Sequence, residues 1–259
     1  MSTQTSVNGD SENDQYRPRI HDENIFRCHI HHLILGNNYF PLVLEMIGFV
    51  IPVYKDAEVL KKVIPEINRL YPNSKIIVIA DDIESMNVAL DLHAFVPYHA
   101  KRMGFSKSLC EGMCLAWFTF QCDIVIICDG DHPISAVSDF LASFKSCDVA
   151  VGYERGVWKK SRVWSNMLVN KLLVSGVANP TCGFVAFKSS VLSKLPWDKM
   201  GSEYDMIHPE LLYYAKKSGA YLGSTMFDEV QKVRYYAPRR YISWLLSFIR
   251  MVLIKNFGD

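Results

Sequence analysis

Asp129 and Asp131 are the residues of this sequence best placed to do chemistry. They stand one residue apart at the end of the apolar run Ile124-Val125-Ile126-Ile127-Cys128, in the segment Asp129-Gly130-Asp131-His132-Pro133. In a strand, side chains at i and i+2 share a face, so two carboxylates delivered in this way converge on one object. Paired hard oxygen ligands suit magnesium or manganese, which bind through one or two carboxylates together with substrate phosphates. At the carboxyl end of a strand in an open α/β sheet, the expected substrate is a nucleotide. An acidic Asp-Gly turn without a ligand is the plain alternative for the same residues. Context decides between them.

The elements that must position the pair follow from hydrophobic spacing. Ile47–Pro52 is expected as a strand, and Ala57–Leu70 as a helix with apolar residues at Val59, Leu60, Val63, Ile64 and Ile67. Lys75–Ala80 is a second strand, ending in Asp81-Asp82, followed by a short helix over Ser85–Leu92 and a third strand over Ala94–Tyr98. Ser106–Thr119 is helical and leads into the strand Asp123–Cys128. Beyond the acidic pair come helices at Val137–Phe144, Ser161–Val174 and His208–Lys217, with strands at Asp148–Gly152 and Phe184–Phe187. Alternating strands and helices imply βαβ units and an α/β fold, a mostly parallel central sheet flanked by helices. We expect one domain over 47–240, preceded by an extension (1–46) and followed by a C-terminal amphipathic helix and tail (241–259).

Composition narrows the partners. The chain has 259 residues, 49% hydrophobic and 21% charged, which is the balance of a globular protein with a sizeable core. A net charge of +1 gives no global field to recruit nucleic acid, which is not expected as a partner except through a local patch. Seven cysteines, odd in number and mostly within apolar segments, point to reduced thiols and a cytoplasmic setting. Cys110 and Cys114 lie one helical turn apart, but with no second pair nearby they do not make a zinc site. Residues 1–19 are polar and are expected to be a disordered tail, not a signal peptide. Cys28, His29, His31 and His32 either hold a metal or belong to a short extended segment with exposed imidazoles.

Six motifs in order resemble those of the family 2 glycosyltransferases of GT-A fold, and among them the polyprenyl-phosphate (dolichol-phosphate) mannosyl- and glucosyltransferases. Ile51-Pro52-Val53-Tyr54-Lys55-Asp56 resembles I-P-x-Y-N-E, and Val78-Ile79-Ala80-Asp81-Asp82 sits where the family has V-D-D. Arg102-Met103-Gly104-Phe105-Ser106-Lys107-Ser108 resembles R-x-G-L-G-K-A, and Asp129-Gly130-Asp131-His132-Pro133 resembles D-A-D-x-Q-H-P. Asp148-Val149-Ala150-Val151-Gly152 is similar to D-I-V-x-G, and Asn179-Pro180-Thr181-Cys182-Gly183-Phe184 to D-x-T-S-G-F. The chain departs at Lys55 for Asn, at Asn179 for Asp, and in lacking the Gln of the metal motif, whose place His132 can take. Tyr241-Ile242-Ser243-Trp244 replaces the family's G-x-S-K.

The resemblance implies a metal-dependent, inverting transfer of a hexose from GDP-mannose or UDP-glucose to polyprenyl phosphate. In it Asp131 is the first metal ligand, with Mn or Mg as the ion, and Asp129 contacts the metal or the ribose. Pro52, Tyr54 and Gly130 shape the nucleotide pocket, while Asp56 and Asp82 contact base or ribose. Arg102, Gly104 and Lys107 enter a helix on a loop suited to phosphate, and a solvated basic loop is their plain alternative. For Asp56 and Asp82 that alternative is turn and cap duty. Thr181, Cys182 and Gly183 lie beside the acceptor.

A phosphate acceptor needs no catalytic base; a hydroxyl on a glycan, protein or modified nucleic-acid base does. Glu203, Asp205 and Glu210 are the candidate bases, and for Glu210 a structural role on its helix is equally consistent with the sequence. A protein that binds nucleotide sugars without turnover is the third reading. Arg234, Arg239 and Arg240, set among tyrosines, suit an acceptor phosphate, a stacked base or plain solvent. Over Tyr241–Ile254 the polar residues Ser243, Ser247 and Arg250 form one narrow helical stripe amid apolar positions. Such a helix lies in a membrane interface, docks on its own domain or meets a membrane subunit. Peripheral attachment to the cytosolic face of a membrane is thus part of the expectation.

Overall fold

The computed structural model describes residues 45–99, 101–156, 160–174, 176–228 and 238–257, with the side chains of 160, 161, 205 and 238–241 outside that description. The candidate ligands at 28–32, the expected tail and Arg234 also lie outside it. A six-stranded sheet forms the centre, in the order β2-β1-β3-β5-β4-β6. Its strands are β1 (Ile47–Val53), β2 (Lys75–Ala80), β3 (Ile124–Ile127), β4 (Val149–Arg155), β5 (Val185–Lys188) and β6 (Leu222–Asp228). β1 pairs in parallel with β2 and β3, β4 with β6, and only β5 runs antiparallel to its neighbours β3 and β4. The α/β expectation therefore holds, with one reversed strand joining two parallel sets.

Strand runs such as Phe49-Val50-Ile51 and Ile124-Val125-Ile126-Ile127 are wholly buried, as helix-covered parallel strands must be. On one face α1 (Ala57–Leu70) buries Leu60, Val63, Ile64 and Ile67 and turns Glu58, Lys61 and Lys62 to solvent. Each such aliphatic side chain contributes about 1.5–3 kcal/mol on leaving water. α2 (Ile83–Asp91), α3 (Phe105–Cys114), α4 (Val137–Ser143), α5 (Lys160–Leu172), α6 (Ser189–Leu192), α7 (Ile207–Lys217) and α8 (Pro238–Phe257) complete the helices of the described residues. α3 runs on into a π-helical turn over Leu115–Thr119, matching the single helix expected there.

Two local expectations change. Ala94–Tyr98 is not a strand: Phe95 makes one parallel bridge to Ile77, and Pro97, lacking an N–H, prevents the ladder from continuing. β6, which hydrophobic alternation did not single out, pairs along its whole length with β4; its half-exposed, Gly- and Ser-containing sequence gives only a weak strand signal.

Candidate functional site

The parallel register brings three chain segments to one sheet edge. Val53 pairs with Ala80 and Val50 with Ile127, so Tyr54, Asp81 and Asp129 all emerge at the carboxyl ends of β1, β2 and β3. This is the edge at which open α/β sheets bind ligands.

The segments that meet at this edge are held by backbone contacts to β2's acidic end. Asp81, its side chain only 5% exposed, accepts from the N–H groups of Met103 (3.2 Å) and Gly104 (2.9 Å). Ser108 adds a hydroxyl bond at 3.4 Å, and the Arg102 Nε lies 4.0 Å away. Asp81 thus fixes the Arg102–Ser108 loop onto the sheet. The sequence reading passed over it for Asp82, although strand alternation turns these neighbours to different partners. Gly104 has φ +86°, a region closed to most side chains, and its N–H goes to Asp81, so it shapes the loop instead of offering a phosphate donor. Arg102 lies over the Tyr54 ring, 3.9 Å from its centroid, and Lys107 is exposed on the first turn of α3.

Asp82 performs the cap duty that was the alternative for it. Its Oδ1 accepts from Ser85 N–H (2.9 Å) at the start of α2, and its Oδ2 from Lys55 N–H (2.6 Å). Burial opposes its ionisation, but these hydrogen bonds outweigh burial and hold its carboxyl below the usual value. The second bond steadies Lys55 at φ +55°, a conformation that asparagine tolerates better than lysine. Asp56 precedes α1 without making a side-chain cap and is exposed after β1, while Pro52 within that strand is half-buried.

At β3's end Asp129, Asp131 and His132 bring one ligand atom each within 4.8 Å of one another. Gly130 between them is obligatory: a Cβ there would fall 1.6 Å from Val59 Cγ1 of α1. His132 is buried, stacked on Phe184 at 4.8 Å, and its Nδ1 accepts the Asp129 N–H at 2.8 Å. A neutral imidazole has one acceptor nitrogen, so this bond places the proton on Nε2. The two aspartates are therefore the ligands that suit a hard divalent ion, and His132 joins through Nδ1 only by giving up its bond to Asp129. The Gly183 loop closes on the same point, because a Cβ at Gly183 would lie 3.3 Å from Asp129 Oδ2.

That loop is secured by Asn179, already marked by its motif, and by Asn166, which no motif contains. Asn166 of α5 donates to Asn179 Oδ1 (3.0 Å), and Thr181 donates to Asn166 Oδ1 (2.9 Å) or Asn179 Oδ1 (3.1 Å). Asn166 and Asn179 are buried, and Thr181 and Cys182 lead directly to Gly183. Asn179, a departure from the resembled motif, is thus an uncharged hub for this loop.

Glu210 is placed as a structural group. It is fully buried on α7 and accepts from Gly201 N–H (3.1 Å), Ser202 N–H (2.7 Å) and Arg250 Nη1 (2.7 Å). With its oxygens so occupied it is poorly suited to abstract a proton, and Arg250 was its unforeseen partner. Glu203 is exposed, with Ser243 donating to its carboxylate and Ser247 accepting its N–H at 3.1 Å. The side chains of Asp205, Arg239 and Arg240 lie outside the described residues. Burial pushes the Cys110 thiol up to about 12 and the Cys122 thiol to about 11, which keeps both protonated and unsuited to metal.

No family model matches the sequence, and neither does any curated protein. Solved structures do. Glucosyl-3-phosphoglycerate synthase from Mycobacterium tuberculosis, in complex with phosphoglyceric acid, superposes with a TM-score of 0.62 at 17% identity, covering 81% of this chain and 79% of that one. The same synthase in complex with Mn2+, UDP-glucose and phosphoglyceric acid gives the same TM-score, identity and coverage. A mycobacterial protein superposes at 0.64 with 16% identity, over 80% of this chain and 75% of its own. The chain has the GT-A type of fold that the motifs implied.

Proposed function

We propose that this chain is a metal-dependent, inverting glycosyltransferase that moves a hexose from UDP-glucose or GDP-mannose to a polyprenyl phosphate. The observation that carries the reading is the convergence of Asp129, Asp131 and His132 at the carboxyl end of β3, closed over by the Gly183 loop. A glucosyl-3-phosphoglycerate synthase of similar fold, solved with Mn2+ and UDP-glucose bound, supports the donor chemistry. When bound, a manganese or magnesium ion held by Asp129 and Asp131 supplies Lewis-acid stabilisation of the departing diphosphate. Arg102 and Lys107 stand to meet phosphate charge. Tyr54 and Asp56 line the base and ribose side.

Two observations favour a lipid phosphate as acceptor. Glu210, the best-placed candidate base, has its carboxylate committed, and a phosphate oxygen needs no base. Second, α8 exposes Ile242, Leu245, Leu246, Ile249, Leu253 and Phe257, while α5 exposes Val163, Trp164, Met167 and Leu168. Lys255 Nζ bonds Leu172 O at 2.8 Å, joining the ends of these two helices. No helix among the described residues is long and apolar enough to cross a membrane, so such faces suit peripheral contact. Arg234, Arg239 and Arg240 are proposed to contact the acceptor phosphate, with Thr181, Cys182 and Gly183 facing it across the metal.

The test incubates purified protein with labelled UDP-glucose or GDP-mannose, manganese and membranes from the native source. Label entering organic solvent, dependent on metal and abolished in Asp131→Asn, is expected. Label confined to water would transfer the reading to a soluble hydroxyl acceptor, with Glu203 or Asp205 as base. No transfer with any donor would defeat the enzymatic reading.

A further inference from the structure

On α8, outside the Asp129 site, lies a cleft of about 550 Å3 lined by Lys194, Lys199, Tyr214, Lys217, Arg250 and Ile254. Three segments distant in sequence deliver its cations: the turn after α6, the last turn of α7 and the middle of α8. The volume falls within the range of small-ligand sites.

The charge balance there is one-sided. Among the described residues, Lys194, Lys199 and Lys217 have no carboxylate within 4.0 Å. Arg250 gives Nη1 to buried Glu210 (2.7 Å) and Nη2 to Lys199 O (2.8 Å), which fixes its guanidinium while its side chain remains 37% exposed. The acidic groups nearby are Glu210, neutralised by Arg250; Asp198, whose negative charge acts on Tyr214; and Asp148, which is bonded to Lys188 and also feels the charge of Lys194. Three lysines and a fixed arginine line this concave site and outnumber Glu210 and Asp198, which leaves surplus positive charge, and Tyr214 lines its wall. Lysines lining one cleft with an oriented arginine suit phosphate oxygens.

We infer that this cleft binds a phosphate-bearing anion, a second anion site separate from the donor phosphates. Its chemistry is shared by a free phosphate ester and an anionic phospholipid headgroup. Ile254 lines the cleft, and its neighbour Leu253 belongs to the exposed apolar stripe of α8, so a lipid headgroup bound here would have its chains beside that stripe. The inference does not depend on the acceptor proposed above, because none of its residues lies at the β1–β3 edge.

The experiment compares the full chain with Lys194→Gln/Lys199→Gln/Lys217→Gln, and with a charge-matched control, Lys61→Gln/Lys62→Gln/Lys145→Gln. Arg250 is left in place because its loss would strand buried Glu210. One arm titrates glycerol phosphate by calorimetry; the other measures co-flotation with phosphatidylcholine vesicles with and without phosphatidic acid. The cleft variant is expected to lose about tenfold in affinity in at least one arm, roughly 1.4 kcal/mol, while the control stays near wild type. Loss in the soluble arm identifies a free phosphate ester as sufficient, and loss only with phosphatidic acid identifies a headgroup. Equal binding by cleft variant and control in both arms, or no binding by wild type in either, overturns the inference. Melting temperature and transfer activity are followed in parallel, and both are expected to match wild type in the cleft variant.

Discussion

α1 and α8 are both amphipathic and both pack apolar residues on the core, but they differ in what they leave outside. α1 buries Leu60, Val63, Ile64 and Ile67 against the sheet and leaves Glu58, Lys61 and Lys62 in water. α8 turns inward the stripe of Ser247 and Arg250, with Phe248 and Met251, and leaves Ile242, Leu245, Leu246, Ile249 and Leu253 outside. α5 shares α8's sense, with Asn166 buried and Trp164 exposed. The lesson is that α1 is completed by the core alone, whereas α8 adds polar bonds to Glu203 and Glu210 to its buried Phe248 and Met251 and keeps apolar surface outward. Hydrophobic faces of this extent are normally covered by a membrane or partner.

If the two helices differ in this way, chemistry and packing should separate under mutation. The largest effect belongs to Asp131→Asn: about a thousandfold or greater loss of transfer, because a metal ligand is removed, with the melting temperature unchanged. Isothermal titration with manganese should show the matching loss of metal binding; undiminished turnover that still needs metal would remove Asp131 from the site. Next in size, Leu60→Ala on α1 should cost about 3 kcal/mol in urea unfolding, whereas Leu246→Ala on α8 should stay within about 0.5 kcal/mol. Comparable losses at the two positions would mean that the outward face of α8 is covered by the protein itself. A reduced flotation of Leu246→Ala with vesicles, at unchanged stability, would sharpen the contrast.

Glu210→Gln probes the polar dock itself. The substitution removes the charge that faces Arg250 and weakens the acceptor for Gly201 and Ser202, at a cost of about 2–3 kcal/mol. Turnover per folded molecule should hold within a few-fold. The opposite pattern, intact stability with turnover lost by orders of magnitude, would restore Glu210 as a base and favour a hydroxyl acceptor.

The same asymmetry governs what was legible in the sequence. Strand-end motifs at Tyr54, Asp81-Asp82 and Asp129 pointed to one sheet edge because parallel register carries local sequence directly to one rim. The identity of the partners was not local. Glu210 meets Arg250 forty residues later, and Asn166 meets Asn179 across a helix end; neither pairing leaves a periodic trace. The polar stripe of α8 was visible, but its direction was not, since periodicity locates a face without saying what lies against it. Asp81 and Asp82 could not be told apart by type, and only the loop returning at 103–104 assigns one to anchoring and the other to capping.

The smallest effect concerns that cap and tests whether β2's acidic end is scaffolding, in contrast to β3's. Asp82→Ala removes the acceptor for Ser85 and Lys55 N–H and should cost about 1 kcal/mol at neutral pH, the usual value of a lost N-cap. Because hydrogen bonds hold the folded-state carboxyl below its ordinary value, its stabilising contribution is fully present above about pH 4 and is lost as pH falls through the lowered folded value. The difference between wild type and Asp82→Ala in urea unfolding should therefore be constant from pH 7 down to about 5 and shrink below about 4. A gap that persists unchanged into acid would mean that Asp82 acts through packing instead of as a charged acceptor. A large loss of transfer at neutral pH with no change in stability would move it from the scaffold to the donor site, and the two acidic strand ends would then be alike.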